Sequence, residues 1–287
     1  MSTTTLRTVL QTIPAQRAVE GDGFVVRRPF PIPGQELVDP FLLLDHMGPV
    51  DQAPGDAVGT PEHPHRGFET VTYLLEGEME HRDSLGNRGT LGPGDTQWMT
   101  AGRGVIHQEG PTERFRREGG RMHGVQLWVN LPAADKMIAP AYQDLTADAV
   151  TRVEPAPGVV ARVVAGDAFG VSGPGSTHTP ITYTHLTLEP GAVARTALPA
   201  DHTVLVYPMV GSVAVGSRTL SEAELGVLGP GDAVELSGPD GGDPSEVLVL
   251  SGRPLHEPVA RYGPFVMNTR AQLMEAVEDF NAGRFAS

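Results

Sequence analysis

The segment from Gly59 to Glu109 decides the fold, and it contains two short pairs of candidate metal ligands: HPH at residues 63–65 and HQE at residues 107–109. In an extended strand successive side chains point to opposite faces, so residues i and i+2 share a face. Each pair can therefore present two ligands in one direction. Three imidazoles and one carboxylate suit a first-row transition metal better than calcium or magnesium.

The residues between the two pairs predict short strands separated by tight turns. TVTYLL (residues 70–75) is rich in β-branched and aromatic side chains, and the EG that follows is typical of a turn. DSLGNRG (83–89) and LGPGD (91–95) predict two further turns. Such a pattern indicates a small antiparallel barrel that closes around a metal. The alternative is that the histidines belong to surface loops, but that does not explain two ligand pairs at strand spacing.

Two longer motifs carry a resemblance to a known family. HPHRGFETVTYLLEG (residues 63–77) resembles the first motif of the pirins, a branch of the cupin superfamily. PGD (93–95) followed by QWMTAGRGVIHQE (97–109) resembles the second motif, and the resemblance extends over roughly residues 25 to 284. The resemblance implies four metal ligands, which are His63, His65, His107 and Glu109.

A second carboxylate competes with Glu109 for the role of ligand. In many other cupins the carboxylate comes from the first motif, which corresponds to Glu69 in this chain. Strand parity does not decide between them, because residues 63, 65 and 69 would share one face of a regular strand. The resemblance to pirins favours Glu109.

The second half of the chain repeats the strand-and-turn pattern without the ligands. LGPGD recurs at residues 228–232, but the residue twelve positions after Asp95 is His107, whereas the residue twelve positions after Asp232 is Pro244. We therefore predict an all-β fold of two cupin-type antiparallel β-barrels (a bicupin) with a C-terminal helix, and one metal site. The expected ranges are 1–133 for a metal-binding lobe, 134–145 for a linker and 146–287 for a lobe without metal.

Helical spacing is confined to the end of the chain. Asn268 or Thr269 can cap a helix, and Gly283 lies beyond its end. Its apolar positions follow a period of 3.6 residues, and they are Leu273, Met274, Val277 and Phe280. This helix is expected to pack against a barrel.

Composition narrows the class of protein. The formal net charge of −14 argues against direct binding of nucleic acid, which needs clustered basic side chains. The 287 residues include no cysteine, so disulfide and thiolate chemistry are excluded. No stretch approaches the roughly 18 apolar residues of a membrane span, and no secretory leader is evident. We therefore expect a cytoplasmic protein.

The resemblance to pirins also implies an activity. Some pirins are metal-dependent dioxygenases of the quercetinase type, which open a flavonol with dioxygen and release carbon monoxide. In that scheme Glu109 is both ligand and base, and Arg103 is a candidate for stabilising negative charge. Iron is the metal that the resemblance favours, although nickel, cobalt, manganese, copper or zinc would accept these ligands. The alternative is a metal-dependent regulatory protein without catalysis, whose protein partner the sequence does not identify.

Other histidines are weaker candidates. His46 is considered as a fifth ligand, although a hydrogen-bonded structural role fits a lone histidine better. His123 and Gln126 differ in parity, so at most one of them faces the barrel interior of a regular strand. Trp98 and Trp128 are expected in the core rather than at the substrate.

Overall fold

A computed structural model describes residues 4–285, and apart from two helices its regular secondary structure consists of β-strands. The first half of the chain forms β1 (Val9–Pro14), β2 (Gln16–Glu20), β3 (Phe24–Phe30), β4 (Phe41–Gln52), β5 (Thr60–His65), β6 (Phe68–Glu76), β7 (Met79–Asp83), β8 (Arg88–Leu91), β9 (Thr96–Thr100), β10 (Val105–Pro111), α1 (Glu113–Glu118), β11 (Gly120–Asn130) and β12 (Ala141–Leu145).

The second half has the same character and ends in a helix. Its elements are β13 (Thr151–Ala156), β14 (Val159–Ala165), β15 (Asp167–Ala168), β16 (Val171–Ser172), β17 (Ile181–Leu188), β18 (Val193–Ala197), β19 (Thr203–Val210), β20 (Val213–Val215), β21 (Arg218–Leu220), β22 (Glu224–Leu228), β23 (Ala233–Ser237), β24 (Ser245–Gly252), β25 (Ala260–Tyr262), β26 (Phe265–Met267) and α2 (Arg270–Asn281).

The chain divides into two compact units. One, which we call the site lobe, comprises Arg17–Pro31, Phe41–Ala147 and the residues from Leu255 onwards. Its larger sheet has the order β12-β9-β6-β11-β4-β3-β2, and its smaller sheet has the order β5-β10-β7-β8. Apolar side chains from both sheets form its core, including Val26, Met47, Leu74, Leu91 and Met122.

The other unit, the second lobe, comprises the described residues up to Gln16, then Ile32–Pro40 and Asp148–Pro254. Its larger sheet has the order β1-β22-β19-β24-β17-β14-β13, and its smaller sheet has the order β18-β23-β20-β21. The two lobes therefore match strand by strand, with β5 and β10 of the site lobe corresponding to β18 and β23. The predicted fold of two cupin-type domains is confirmed.

The strand pairing divides the chain differently from the ranges 1–133, 134–145 and 146–287. β1 pairs with β22 and so joins the second lobe, while β12 pairs with β9 and so completes the larger sheet of the site lobe. The expected linker thus contains a strand of that sheet. The residues from Leu255 onwards, including α2, belong to the site lobe rather than to the second one. Partners distant in sequence decide these assignments, which local pattern does not reveal.

The repeated LGPGD turn occupies different positions in the two lobes. Residues 92–95 connect β8 with β9, which lies in the larger sheet of the site lobe. Residues 229–232 connect β22 with β23, which lies in the smaller sheet of the second lobe. The turn therefore comes one strand later in the second lobe. His107 and Pro244, which each follow the turn by twelve residues, therefore do not occupy equivalent positions in the two lobes.

The strands of the second lobe that correspond to β5 and β10 are β18 and β23, and among the described residues they present no group of metal ligands. On β18 and β23 the register pairs Ala194 with Leu236 and Thr196 with Val234. These four side chains line a small apolar cavity, and both strands lack histidine. The barrel interior is therefore filled with apolar side chains where the site lobe carries imidazoles.

The C-terminal helix begins at the predicted place. Thr269 is its N-cap, accepting from the backbone N–H of Gln272, whose side chain in turn reaches back to the cap. Leu273 and Ala276 are its buried residues, whereas Met274 is 51% exposed, so the buried face is narrower than predicted. Within residues 4–285 neither helix is long and apolar enough to cross a membrane.

Removal of residues 1–14 tests the assignment of β1 to the second lobe. The truncation deletes the partner of β22 and the buried Ile13 side chain, so we expect the free energy of unfolding to fall by at least about 3 kcal/mol. Thermal unfolding and metal content per chain are to be measured. Metal content should stay at the wild-type value, and its loss with unchanged stability would contradict the assignment.

Candidate metal centre

Two paired strands of the smaller sheet carry the three predicted histidines. β5 and β10 are antiparallel, with His107 directly opposite His63 and Val105 opposite His65. β5 lies at the edge of its sheet, where Pro61 and Pro64 are tolerated because their missing N–H groups are not needed by a second neighbour. The i, i+2 spacing of His63 and His65 brings both imidazoles to the same side as His107.

The three imidazoles converge closely enough to hold one ion. Their ligand atoms all lie within 4.8 Å of one another, the one such group of three or more candidate ligands in the described part of the chain. The ring centroids are 4.6 Å apart for His63 and His65, 4.4 Å for His63 and His107, and 4.9 Å for His65 and His107. The structure thus brings together three of the four predicted ligands.

The hydrogen bonding of these rings fits metal ligation. His63 donates from Nδ1 to the Pro61 carbonyl oxygen at 2.8 Å, which leaves Nε2 with its lone pair available. Both ring nitrogens of His107 are buried, and neither has a hydrogen-bond partner among the residues that the structure describes. A buried imidazole without partners is costly unless another group, such as a metal ion, binds it.

The protonation of the rings favours metal binding as well. Burial lowers the pKa of His65 well below its ordinary value, and the neighbouring His107 and His63 rings lower it further. Burial also lowers the pKa of His107 to about 4, against the opposing effect of the Glu109 carboxylate. Both imidazoles are therefore neutral near pH 7, which is the form that ligates a metal.

Glu109 lies on the same strand and the same face as His107, but its carboxylate is outside the group of three imidazoles. Its Oε2 accepts from Gln126 Nε2 at 3.0 Å, and its Oε1 accepts from Thr72 Oγ1 at 3.3 Å. The side chain is 9% exposed. Its role as the fourth ligand stays a prediction.

Glu69, the competing carboxylate, points away from this face. The strand is interrupted after His65, and β6 begins at Phe68 in the other sheet, so the parity of residues 63 and 65 does not continue to 69. Thr72 faces Glu109, and a residue three positions earlier on the same strand faces the opposite way. Glu69 is fully buried there and accepts from Thr100 Oγ1 at 2.7 Å.

The remaining histidines have other partners. His46 and His123 are buried and joined by a hydrogen bond between their Nε2 atoms, 2.8 Å apart. His46 therefore has a hydrogen-bonded structural role. In the second lobe His185 pairs with Glu246 at 2.6 Å, and His202 contacts Ser251 Oγ at 3.0 Å.

Of Arg103, Trp98 and Trp128, it is Trp128 that contacts one of the three imidazoles. The Arg103 side chain is exposed on the turn between β9 and β10. Trp98 is fully buried in the core, as expected. Trp128 is also buried, but its ring packs edge-on against His65, with the ring centroids 5.2 Å apart, and lies tilted against the Phe68 ring, with the centroids 4.3 Å apart. Trp128 and Phe68 thus form an apolar wall beside His65. The sequence predicted a core position for Trp128 but did not predict that it lies next to His65.

Lys136, the single lysine of the chain, was placed in the linker by sequence reasoning and proves to be a buried support of the centre. Its Nζ donates to three oxygens: the Gly67 carbonyl at 2.8 Å, Asn130 Oδ1 at 2.7 Å and the Val266 carbonyl at 3.0 Å. Burial lowers its pKa to about 8. These bonds fix the turn at Gly67, two residues after His65. No local signal marks this contact, because its partners are distant in sequence.

Gly67 itself is required at this turn. Its φ is +88°, and a Cβ placed there would collide with the Val266 carbonyl oxygen. The neighbouring Arg66 is buried, donates to the Arg103 carbonyl, and pairs with Asp279 of α2 at 2.9 Å. The end of the chain therefore supports the strand that carries two of the three imidazoles.

Comparison with known proteins agrees with this geometry. A family model described as Pirin matches residues 23–129, and one described as the Pirin C-terminal cupin domain matches residues 183–286. The chain belongs to the pirin family. Its membership explains the two matched lobes and places the three imidazoles in the domain that the first model covers.

Several relatives of this pirin-family chain are similar over nearly their whole length. A Pseudomonas aeruginosa protein provisionally named quercetin 2,3-dioxygenase is 45% identical over 276 residues, which cover 94% of this chain and 95% of that protein. Pirin of Homo sapiens is 40% identical over 266 residues, covering 91% and 88% respectively. A crystal structure of quercetin 2,3-dioxygenase from Acinetobacter baumannii has a TM-score of 0.92 at 39% identity, with 99% of each chain covered.

Paired substitutions distinguish the two carboxylates. Glu109→Gln should weaken metal binding about 10-fold or more, because the substitution removes a negative charge next to the imidazoles. Glu69→Gln removes the same charge on the opposite face of β6 and should leave metal content unchanged. Metal content after dialysis against a chelator is the measurement. Loss of metal from the Glu69 variant with retention in the Glu109 variant would reverse the assignment.

Substitution of Lys136 tests the support of the Gly67 turn. Lys136→Met leaves three buried oxygens without their donor, so we expect a loss of about 3 kcal/mol in the free energy of unfolding. Lys136→Arg should also be destabilising, since a planar guanidinium does not fit three oxygens around one ammonium. Chemical denaturation of metal-free protein measures both, and wild-type stability in either variant would contradict this role.

Proposed function

We propose that the chain is a metal-dependent dioxygenase that opens the central ring of a flavonol such as quercetin. The convergence of the His63, His65 and His107 imidazoles in one barrel is the observation that carries this proposal. The similarity to quercetin 2,3-dioxygenase from Acinetobacter baumannii over 99% of the chain supports the substrate class.

The reaction needs no external electron donor. Flavonol and dioxygen give a ring-opened ester and carbon monoxide, with both oxygen atoms of dioxygen in the ester product. Two carbon–carbon bonds of the central ring break, and the carbon between them leaves with its own oxygen as carbon monoxide. A divalent redox metal, most simply iron, held by His63, His65, His107 and Glu109 would supply a Lewis acid for the flavonol 3-hydroxyl and a route for electrons to dioxygen.

The side chains of the centre have distinct roles in this proposal. His63, His65 and His107 hold the metal, and Glu109 completes the ligand set. Glu109 also accepts the proton of the flavonol hydroxyl, since a carboxylate has a second oxygen for this purpose. Trp128 and Phe68 exclude water from the side of His65 and so keep the developing charge in a low-dielectric environment.

Turnover of quercetin by metal-loaded protein tests the proposal. Protein stripped with a chelator and reloaded with iron, nickel, cobalt, manganese or copper is incubated with quercetin in air. We expect loss of the flavonol absorbance with one carbon monoxide released for each quercetin consumed. His65→Ala should lower turnover at least about 100-fold, because it removes a coordinating nitrogen, and Glu109→Gln should lower kcat more than it changes KM.

A matched control guards against oxidation that does not occur at the site. His202→Ala removes a buried histidine of the second lobe and should keep wild-type turnover. Full activity of His65→Ala at equal purity would show that the oxidation is not chemistry of this centre. A wild-type protein that is inert with every metal would contradict the dioxygenase and favour the metal-dependent regulatory protein.

A further inference from the structure

The carboxylate of Glu109 is held by two side chains from the opposite sheet. Thr72 on β6 donates to Oε1, and Gln126 on β11 donates to Oε2. Gln126 Nε2 also lies 3.5 Å from Thr72 Oγ1. The amide thus contacts both other members, and the three side chains form a closed hydrogen-bonded group, which we call the Glu109 cradle.

The direction of these bonds follows from the donor inventory. An ionised carboxylate only accepts, so Gln126 must present its NH₂ group, and Thr72 must direct its hydroxyl proton towards Glu109. The second proton of the Gln126 NH₂ points to Thr72 Oγ1, which leaves the threonine proton for Oε1. Each carboxylate oxygen keeps one lone pair beyond the bond that it accepts. The cradle therefore orients the carboxylate without using its full capacity for a metal or a proton.

The cradle is built on central strands of the larger sheet. Thr72 and Gln126 are directly paired across β6 and β11, and Gln126 is paired with Asp45 on β4. Directly paired residues point to the same face. Asp45 is itself fixed by Arg28, whose Nε donates to Oδ1 at 2.6 Å. A row of polar side chains, Thr72, Gln126 and Asp45, thus crosses the sheet on the face opposite Glu109.

We infer that Thr72 and Gln126 are positioning residues that set the orientation of Glu109 towards the three imidazoles. The inference rests on the proposed function, because it assigns to Glu109 the role of ligand and base. A carboxylate on a long flexible side chain has many rotamers, and ordering it at the moment of metal binding costs free energy. Hydrogen bonds to both oxygens order the Glu109 carboxylate before the metal binds. Loss of these hydrogen bonds therefore weakens metal binding and changes the coordination of the ion.

Cobalt binding to the full chain tests the inference without any flavonol. Co²⁺ affinity is measured by competition with a chelator, and the visible absorption of bound Co²⁺ reports the number of ligands. Gln126→Met keeps the size of the side chain and removes its donors, and we expect about 10- to 100-fold weaker Co²⁺ binding with an altered spectrum. Thr72→Val, which is nearly isosteric, should shift affinity and spectrum in the same direction.

Two substitutions of the same chemistry serve as controls. Gln97→Met removes a buried amide next to Thr72 in the same sheet, where it donates to Asp144 rather than to Glu109. Thr100→Val removes a hydroxyl that donates to Glu69. Both variants should keep the wild-type spectrum and affinity. Adding Gln126→Met to Glu109→Gln should cause little further loss, because the two side chains act through one interaction.

The outcomes separate this inference from the proposed function. Wild-type Co²⁺ affinity and spectrum in a folded Gln126→Met variant would overturn the inference, as would an equal loss in Gln97→Met. If circular dichroism shows that Gln126→Met does not fold, an unchanged spectrum of Thr72→Val overturns it instead. Absence of quercetin turnover with the expected cobalt results contradicts only the dioxygenase, whereas turnover with unaffected cradle variants contradicts only the inference.

Discussion

The antiparallel pairing of β5 with β10 is the constraint on which the centre depends. It sets His107 opposite His63, and the two-residue repeat of each strand then brings His65 and Glu109 to the same interior. A register shift of one residue would turn His107 and Glu109 to the outer face. Because β5 is an edge strand with two prolines, β10 is its one neighbour in the sheet, and the register between them must be held by contacts elsewhere.

Those contacts come from distant parts of the chain. Lys136 joins the Gly67 turn to the Val266 carbonyl, and Arg66 reaches Asp279 of the C-terminal helix. The buried ammonium is tolerated since three oxygens surround it, which offsets the cost of removing its charge from water. The last segment of the chain is thus part of the support for the predicted metal ligands, although it lies about 200 residues away in sequence.

The two lobes show that a shared strand order does not determine chemistry. The positions on β18 and β23 that correspond to the ligand-bearing strands carry alanine, threonine, valine and leucine. Such side chains stabilise the barrel mainly by burial, and none of them carries an imidazole or a carboxylate to bind a metal. The site lobe instead places imidazoles, a carboxylate and an amide inside the barrel, where each depends on a partner to offset the cost of its burial.

The sequence by itself determined the elements whose cause is local. The period of two in HPH and HQE identified His63, His65 and His107, the turns predicted the β-barrels, and Thr269 marked the start of the helix. Tertiary structure decided what depends on distant partners. Strand parity allowed Glu69 as a metal ligand, but the strand breaks at Gly67 and Glu69 faces the other way. The pairing of β1 with β22 and of β12 with β9 moved the lobe boundaries. Lys136 gave no local signal, because its role exists only once oxygens from other strands surround it, and the parity of Gln126 did not reveal Glu109 as its partner.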